Sequence, residues 1–303
     1  MRLDDLARAA PFARPLAVPS WTLGCFHRRS ITYANGREDD STRVIWIQSH
    51  GLTGDLRIPA ARPDVRARGS LAGCTPEELA ELAKGEGGVA QTSFRAGRMT
   101  WSKWVAFQPY DKWPEPGELR RVGPALVEFA PSGVYVEDWR LQPGSGGLLC
   151  GLRLVSEAQP DGEHVPRDGG LVIAGDHAIF ALARRERLPA HAPVHRQIAA
   201  VADPHRLAGA AFDAQAAYAR REPGAHDYRI VLGVDPFAEG RVLALNGFAL
   251  AGEGMLLQTL EDGAERRWRV DTLRPDVVLP AATSTQAAEW LSQEADTLLA
   301  AAS

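Results

Sequence analysis

The sequence of 303 residues is long enough for two domains of average size or for one large β domain. Hydrophobic residues make up 45% of it and charged residues 24%, which is ordinary for a globular protein and excludes wholesale disorder. The net charge of −4 and the pI near 6.1 argue against nucleic acid as the main partner, because phosphate binding requires a basic surface.

The cysteines and the N-terminal residues indicate where the protein works. Cys25, Cys74 and Cys150 are far apart and lack the CxxC or CxxH spacing of a zinc site. Their sparse, odd number indicates a reducing compartment and predicts no disulfide framework. The first residues, MRLDDLARAAPFARP, include two aspartates and no long apolar run, unlike a secretory signal. No window approaches about eighteen uninterrupted apolar residues. We therefore expect a cytoplasmic protein with no membrane span, no metal and no cofactor.

In chain order, a short helix and a proline-rich arm (residues 1–19) precede the first predicted strand, Trp21–Tyr33. The segment Arg43–Pro59, RVIWIQSHGLTGDLRIP, predicts two strands joined by a bend. Later strands are predicted at 91–94, 98–108, 125–129, 134–141, 148–157, 170–184, 227–234, 241–250, 255–260 and 266–270. Short strands without regular βαβ alternation favour an antiparallel barrel or sandwich over a doubly wound fold.

Three further helices are predicted around these strands. Thr75-Pro76-Glu77-Glu78 combines a capping box with proline at the first helical position, and we expect this helix to end near residue 85. Arg206–Arg221, in an alanine-rich insertion at 189–225, is typical of an amphipathic helix, as is the C-terminal tail from Thr283.

Two connecting segments are also predicted. A proline- and glycine-containing loop, WPEPGE, is expected at 113–118. The run QPGSGG at 142–147 predicts a linker, so we expect one β lobe at residues 1–145 and a second at 146–303.

Several separated segments form a familiar set: TRVIWIQ with DLRIP, TPEELAELA, RMTWSKWVAFQP, VYVEDWR and GLVIAGDHAIFALARR. Together they resemble uncharacterised lipocalin-like proteins related to the yeast HRI1 protein family. The resemblance covers about residues 20–185, with a vaguer match at 226–275. It implies a mostly β protein with lipocalin-like antiparallel barrels, two lobes and peripheral helices; one larger barrel with helical extensions is the alternative. The family's molecular function is not established, so the resemblance implies a fold and no mechanism.

A barrel of about eight strands has an interior just large enough for side chains or one small ligand. Period-two alternation places Trp46 and Gln48 on one face of their strand, and Asp55 and Arg57 on one face of the next. We predict that aromatic and polar side chains bind an apolar or carboxylate-bearing ligand there. The predicted ligand-binding residues are Trp46, Gln48, Arg57, Trp101, Trp104 and Trp139.

The predicted ligand site requires a particular geometry, and it has a structural alternative. Trp46 and Gln48 should face the same space as Trp101 or Trp104, which regular alternation would put on opposite faces of their own strand. In the alternative, the tryptophans are core residues and Arg57 is a structural residue paired with Glu128 or Glu137.

Asp176-His177 lies in an otherwise apolar segment and is the most conspicuous titratable pair. Strand neighbours point to opposite faces, so these two side chains cannot act as a dyad. His177 is a candidate general base, metal ligand or haem ligand, or a residue at a bulge beside Gly175. His27 and His50 also lie near strand ends, but no spacing among the histidines matches a metal motif.

The sequence contains no nucleophile elbow, phosphate loop or dinucleotide fingerprint. The arginines at 184, 185 and 187 are typical of a solvated strand end. Three functions stay open: a small-molecule binding protein, an isomerase- or lyase-type enzyme that uses His177, and a protein-interaction module with a filled barrel. A cavity of several hundred cubic ångströms would favour the first, and a filled barrel would count against it. The enzyme requires His177 to face such a cavity beside a carboxylate.

Overall fold

The computed structural model describes residues 1–110, 115–279 and 282–302. Its helices are α1 (Leu3–Ala9), α2 (Pro76–Leu82), α3 (Val194–Ala200), α4 (Pro204–Phe212) and α5 (Thr285–Ala302). Its strands are β1 (Phe12–Ala13), β2 (Gly24–Tyr33), β3 (Glu38–Asp39), β4 (Arg43–Gln48), β5 (Leu52–Ile58), β6 (Glu86–Arg95), β7 (Arg98–Ala106), β8 (Gly117–Gly123), β9 (Ala125–Phe129), β10 (Tyr135–Leu141), β11 (Gly147–Ala158), β12 (His164–Val165), β13 (Gly169–Ala174), β14 (His177–Leu182), β15 (Gln215–Arg221), β16 (Tyr228–Gly233), β17 (Phe248–Leu250), β18 (Met255–Thr259), β19 (Glu265–Val277) and β20 (Ala282–Thr283).

Eight antiparallel strands of the N-terminal half close into a barrel. Strands β2, β4, β5, β6, β7, β8, β9 and β10 each pair with the next, and β10 returns to pair with β2. Five of the six residues of β4 are buried, because alternate side chains point into the barrel and the others point towards a second sheet. The predicted fold class, a mostly β protein with an antiparallel barrel and peripheral helices, is confirmed.

The second sheet is antiparallel and has the strand order β16-β15-β14-β13-β11-β19-β18-β17. Strand β1 joins it through β19, whereas β20 near the C-terminus pairs with barrel strand β8. Both ends of the chain therefore cross between the two sheets, and one hydrophobic core contains residues of both.

The chain passes from the barrel to the second sheet at 142–146, inside the predicted linker. This segment is fixed in place: the Gln142 amide donates to the Cys25 carbonyl (2.8 Å), and Ser145 is buried. The shared core joins the two parts. The division into two lobes at residue 145 stays a prediction.

The barrel wall and the second sheet meet at glycines, each of which receives a side chain of the opposite sheet. A Cβ atom on Gly54 of β5 would lie 2.7 Å from the Cβ of Ile179 on β14. A Cβ atom on Gly170 of β13 would lie 2.5 Å from a methyl group of Val89 on β6. Glycine at these places lets the two sheets pack in direct contact.

Two helix predictions are confirmed. At α2, the Thr75 hydroxyl accepts from the Glu78 amide (3.2 Å) and the Glu78 carboxylate accepts from the Thr75 amide (2.8 Å), which completes the capping box. The C-terminal tail forms α5. Among the helices that the structure describes, none combines the length and apolar character needed to cross a bilayer.

Other boundaries differ from the predictions for physical reasons. The segment 170–184 is a hairpin rather than one strand, because the chain turns at Gly175 (φ +59°) and Asp176. The predicted helix Arg206–Arg221 is wrong in its second half: α4 ends at Phe212, and β15 follows as an inner strand of the second sheet. Sheet pairing on both sides of β15 outweighs the helix propensity of its alanines.

In the C-terminal half, only Phe248–Leu250 of the predicted strand 241–250 is a strand, and the strand predicted at 266–270 extends over Glu265–Val277. The loop predicted at 113–118 lies partly outside the described residues, which omit 111–114.

Candidate functional site: a groove beside the barrel

The barrel interior is filled mainly by aromatic and charged side chains. Five of the six predicted ligand-binding residues line one cavity inside it: Trp46, Arg57, Trp101, Trp104 and Trp139. The cavity has a volume of about 50 Å³. That is room for water, and it is far below the roughly 300 Å³ at the lower end of ligand sites.

A β-bulge brings Trp101 and Trp104 to this cavity together. Val89 pairs with Val105, but Gln91 pairs with Ser102, so Lys103 and Trp104 share the place of one residue. Lys103 accommodates the extra residue with φ +52°. The expectation that the two tryptophans face opposite sides is therefore wrong, and Trp46 does share its space with both.

Gln48 does not line the cavity. Its side-chain amide donates to the Ser49 and Leu52 carbonyls (2.8 and 3.1 Å) and its carbonyl accepts from the Thr92 hydroxyl (3.3 Å). These bonds fix Gln48 as a structural residue at the bend after β4.

Arg57 is held in an ion-pair network inside the barrel. Its Nε lies 2.9 Å from Asp55 Oδ1, and its Nη1 lies 3.8 Å from Glu137 Oε1. Arg28 also contacts Glu137 (2.7 Å) and reaches Asp39 (2.9 Å). Burial opposes the charge of Arg57, but the fields of Asp55 and Glu137 hold its pKa above the ordinary value. The geometry corresponds to the alternative in which Arg57 is a paired structural residue.

Glu128 faces Glu137 directly across β9 and β10. Burial, and then the negative field of Glu137, raises the pKa of Glu128 to about 8. The Tyr135 hydroxyl donates to Glu128 Oε1 at 3.4 Å. At neutral pH Glu128 is therefore mostly protonated, which relieves the repulsion between two like charges on neighbouring strands.

A much larger groove lies between the barrel and the second sheet, with a volume of about 580 Å³. One wall is formed by the start of β6 and the end of β7, and the other by the residues that follow β14, including Arg184 and Leu188. Asp55 and Trp104 border both this groove and the barrel cavity. The size of the groove is within the range of small-molecule sites, roughly 300–1,000 Å³.

The arginine cluster predicted as a solvated strand end lines this groove, and its members differ in environment. Arg185 and Arg187 are exposed, and Arg185 is paired with Asp213 (2.9 Å). Arg184 is half-buried, with its guanidinium 5.8 Å from the centre of the Phe107 ring and one Nη donating to the Phe107 carbonyl.

The Nε of Arg184 is shielded from solvent and has no hydrogen-bond partner among the described residues. Burial lowers the pKa of Arg184, although the field of Asp213 opposes this shift. An anion placed in the groove beside Arg184 would restore part of the solvation that the guanidinium has lost.

His177 lies where β14 begins, between the second sheet and the barrel, and is 2% exposed. Its Nδ1 is 2.6 Å from the Tyr218 hydroxyl and its Nε2 is 2.8 Å from the Pro143 carbonyl. Asp176 lies in the preceding turn and accepts from Arg221 (3.1 Å). Both imidazole nitrogens are thus hydrogen-bonded at a closed interface. His177 therefore lacks the free nitrogen and the open cavity that a general base requires.

The other histidines are separated by the fold. His27 lies on β2 close to His177, with ring centres 6.4 Å apart. The Nδ1 of His50 donates to the Arg14 carbonyl (2.9 Å) at the bend after β4, and His50 does not belong to that cluster.

Comparisons of the chain with family models, with curated proteins and with solved structures gave no match. The resemblance to the yeast HRI1 protein family therefore stays a prediction. The groove residues of the second sheet were missed as ligand-binding candidates because their contact with β6 and β7 is created by the fold. The one local signal was the density of arginines at 184–187.

Proposed function

We propose that this protein binds a small molecule that combines an anionic group, such as a carboxylate, with an apolar or aromatic body. The proposed site is the groove beside the barrel rather than the barrel interior. The observation that carries the proposal is Arg184, which lines a groove of about 580 Å³ and whose buried Nε has no partner among the described residues.

The charges of the groove support an anionic ligand. Asp55 is paired with Arg57, Asp168 with Arg153 (2.7 Å), and Arg185 with Asp213. With these pairs neutralised, Arg184 and Arg187 are the arginines of the lining that form no ion pair among the described residues. The positive charge lies on the side where the guanidinium of Arg184 is desolvated.

The remaining lining supports an apolar or aromatic body. Half-buried Trp104 and Tyr110 lie on the barrel side together with Val105, and Leu188 lies on the other side. Such surfaces supply contact area, and one fixed cationic group would orient the ligand. An apolar or carboxylate-bearing ligand is also the class of ligand that we predicted from the sequence, although for the barrel interior.

The cysteines support a cytoplasmic location for this activity, which is part of the proposal. Cys25, Cys74 and Cys150 are all buried free thiols. Unpaired thiols in this number fit a reducing compartment.

The proposal is tested with 1-anilinonaphthalene-8-sulfonate, an aromatic anion whose fluorescence rises when it binds. We expect saturable binding to the folded protein and displacement by decanoate. Arg184→Gln removes the charge-assisted hydrogen bond, which corresponds to a rise in Kd of about tenfold or more. Native mass spectrometry of the freshly purified protein would show whether a small acid is retained.

Arg98→Gln is the matched control, because Arg98 is an exposed arginine on β7 that pairs with Glu118 (2.8 Å) and does not line the groove. Circular dichroism verifies that both variants are folded. Equal Kd values for the probe in Arg184→Gln, Arg98→Gln and the unaltered protein would overturn the assignment of the groove.

A further inference from the structure

Three metal-ligating side chains meet where the barrel packs against the second sheet. Cys25 and His27 are two residues apart on β2, so both point out of the barrel on the same face. His177 approaches from the first residue of β14. One ligand atom from each of the three residues lies within 4.8 Å of the other two.

These separations are close to those of a zinc site. Zn–N distances of about 2.0–2.1 Å and a Zn–S distance of about 2.3 Å place tetrahedral ligand atoms roughly 3.3–3.7 Å apart. Each separation would have to shorten by about 1.5 Å at most to reach that spacing.

One imidazole of the cluster has a ring nitrogen without a partner. The Nε2 of His27 is shielded from solvent and has no hydrogen-bond partner among the residues that the structure describes. An unpartnered ring nitrogen can take the tautomer in which it carries no proton and offers a lone pair to a metal.

His177 has the supporting hydrogen bonds that are found behind metal-bound imidazoles. Its two ring nitrogens contact the Pro143 carbonyl and the Tyr218 hydroxyl. Whichever nitrogen faces a metal gives up one of these bonds, and the other continues to hold the ring. A hydrogen bond from the second nitrogen to a backbone carbonyl or a similar acceptor is the usual second shell of a histidine ligand.

We propose that Cys25, His27 and His177 bind Zn²⁺ and thereby join the barrel to the second sheet. One thiolate and two imidazoles are a donor set that selects Zn²⁺ over Mg²⁺ and Ca²⁺, which require oxygen ligands. On binding, the Cys25 thiol releases its proton to solvent and its sulfur lone pair forms the bond to zinc. The fourth position takes a water molecule.

The surroundings moderate the affinity. The positive field of Arg220 acts on both Cys25 and His27. Arg220 therefore helps thiolate formation and at the same time repels a divalent cation. We expect weaker binding than at a four-ligand structural zinc site, with the metal lost on prolonged dialysis against a chelator.

The test uses Co²⁺ as an optical substitute for Zn²⁺ in the full-length protein after treatment with a chelator. We expect one equivalent of Co²⁺ to produce a thiolate-to-cobalt charge-transfer band and visible bands of tetrahedral intensity, both abolished by one equivalent of Zn²⁺. Zn²⁺ should also raise the Tm by several degrees, because it binds the folded chain only. Cys25→Ser should remove the charge-transfer band, and His27→Gln should weaken Co²⁺ binding at least tenfold.

Cys150→Ser is the matched control, because Cys150 is another completely buried free thiol and does not belong to the cluster. It should leave both the band and the Tm shift intact. The unaltered protein decides the outcome even if the variants fold poorly. Absence of a charge-transfer band in it, or persistence of the band in Cys25→Ser, would overturn the site.

Discussion

Replacing Glu128 with glutamine tests the electrostatics of the barrel interior. In the buried network, two arginines, Arg28 and Arg57, face the carboxyl groups of Asp39, Asp55, Glu137 and Glu128. The network holds more acidic groups than cations, and Glu128 is the carboxyl group that keeps its proton. Glutamine has nearly the same shape as the protonated acid, so Glu128→Gln mimics the neutral form and cannot ionise.

The magnitude follows from the change in pKa. The ordinary pKa of 4.5 rises to about 8 in the folded protein. At about 1.4 kcal/mol per unit, this rise corresponds to at most about 5 kcal/mol. Between these two pH values the unfolded chain has released the proton and the folded chain still binds it. The stabilisation is therefore complete below pH 4.5 and is lost as the pH rises to about 8.

Urea unfolding at pH 5, 7 and 8.5 measures this effect, with Glu163→Gln at an exposed turn as the control. We expect Glu128→Gln to match the unaltered protein within about 1 kcal/mol at pH 5 and to exceed it by several kcal/mol at pH 8.5. A constant difference between the two proteins at all three pH values would refute the reasoning, because it would mean that Glu128 has the same protonation in the folded and unfolded chains.

Two further predictions concern the backbone. In urea unfolding, Gly54→Ala should lower the free energy of unfolding by about 1–3 kcal/mol, because the new methyl group meets Ile179 at 2.7 Å. Its control is Gly209→Ala on α4, which has open space around it. That variant should raise the free energy of unfolding by about 0.5–1 kcal/mol. A neutral Gly54→Ala would show that the sheets are not in direct contact. Lys103→Val should lower the free energy of unfolding by about 1–2 kcal/mol, because the φ of Lys103 is +52° and a β-branched residue is strained there. Lys103→Gly should leave this free energy unchanged or raise it. Equal effects of the two variants on urea unfolding and on tryptophan fluorescence would contradict the bulge.

The sequence was most informative where structure is determined locally. The capping box at Thr75 specifies the start of α2 because its hydrogen bonds join residues three apart. It was least informative in the second sheet. Strands β13 and β14 are buried on both faces, so no alternation marked the turn between them. Strand β15 is alanine-rich, and its structure is decided by pairing with β14 and β16.

The candidate sites show the same division. Trp46 and Trp139 were both predicted to line one site, and their rings lie 5.8 Å apart. Alternation could not reveal the bulge at Lys103, because the bulge arises from one extra residue in β7 relative to β6. The pair Cys25 and His27 has the two-residue spacing of ligands on one strand face, and that signal was visible in the sequence. The third member, His177, comes from a distant strand that only the fold brings close.

The geometry of β14 explains why the two proposed sites lie where they do. His177 begins this strand, and Arg184 follows its last residue by two positions. Six residues of β structure span roughly 20 Å, so the sites lie at opposite ends of one contact between barrel and sheet. In the middle of that contact, Gly54 meets Ile179, and there is no room for a polar side chain or its hydration. The polar groups of the two proposed sites lie at its ends, where strands stop and backbone carbonyls, solvent or a ligand can satisfy them. Loss of one site should therefore leave the geometry of the other intact, since the apolar centre between them does not depend on either.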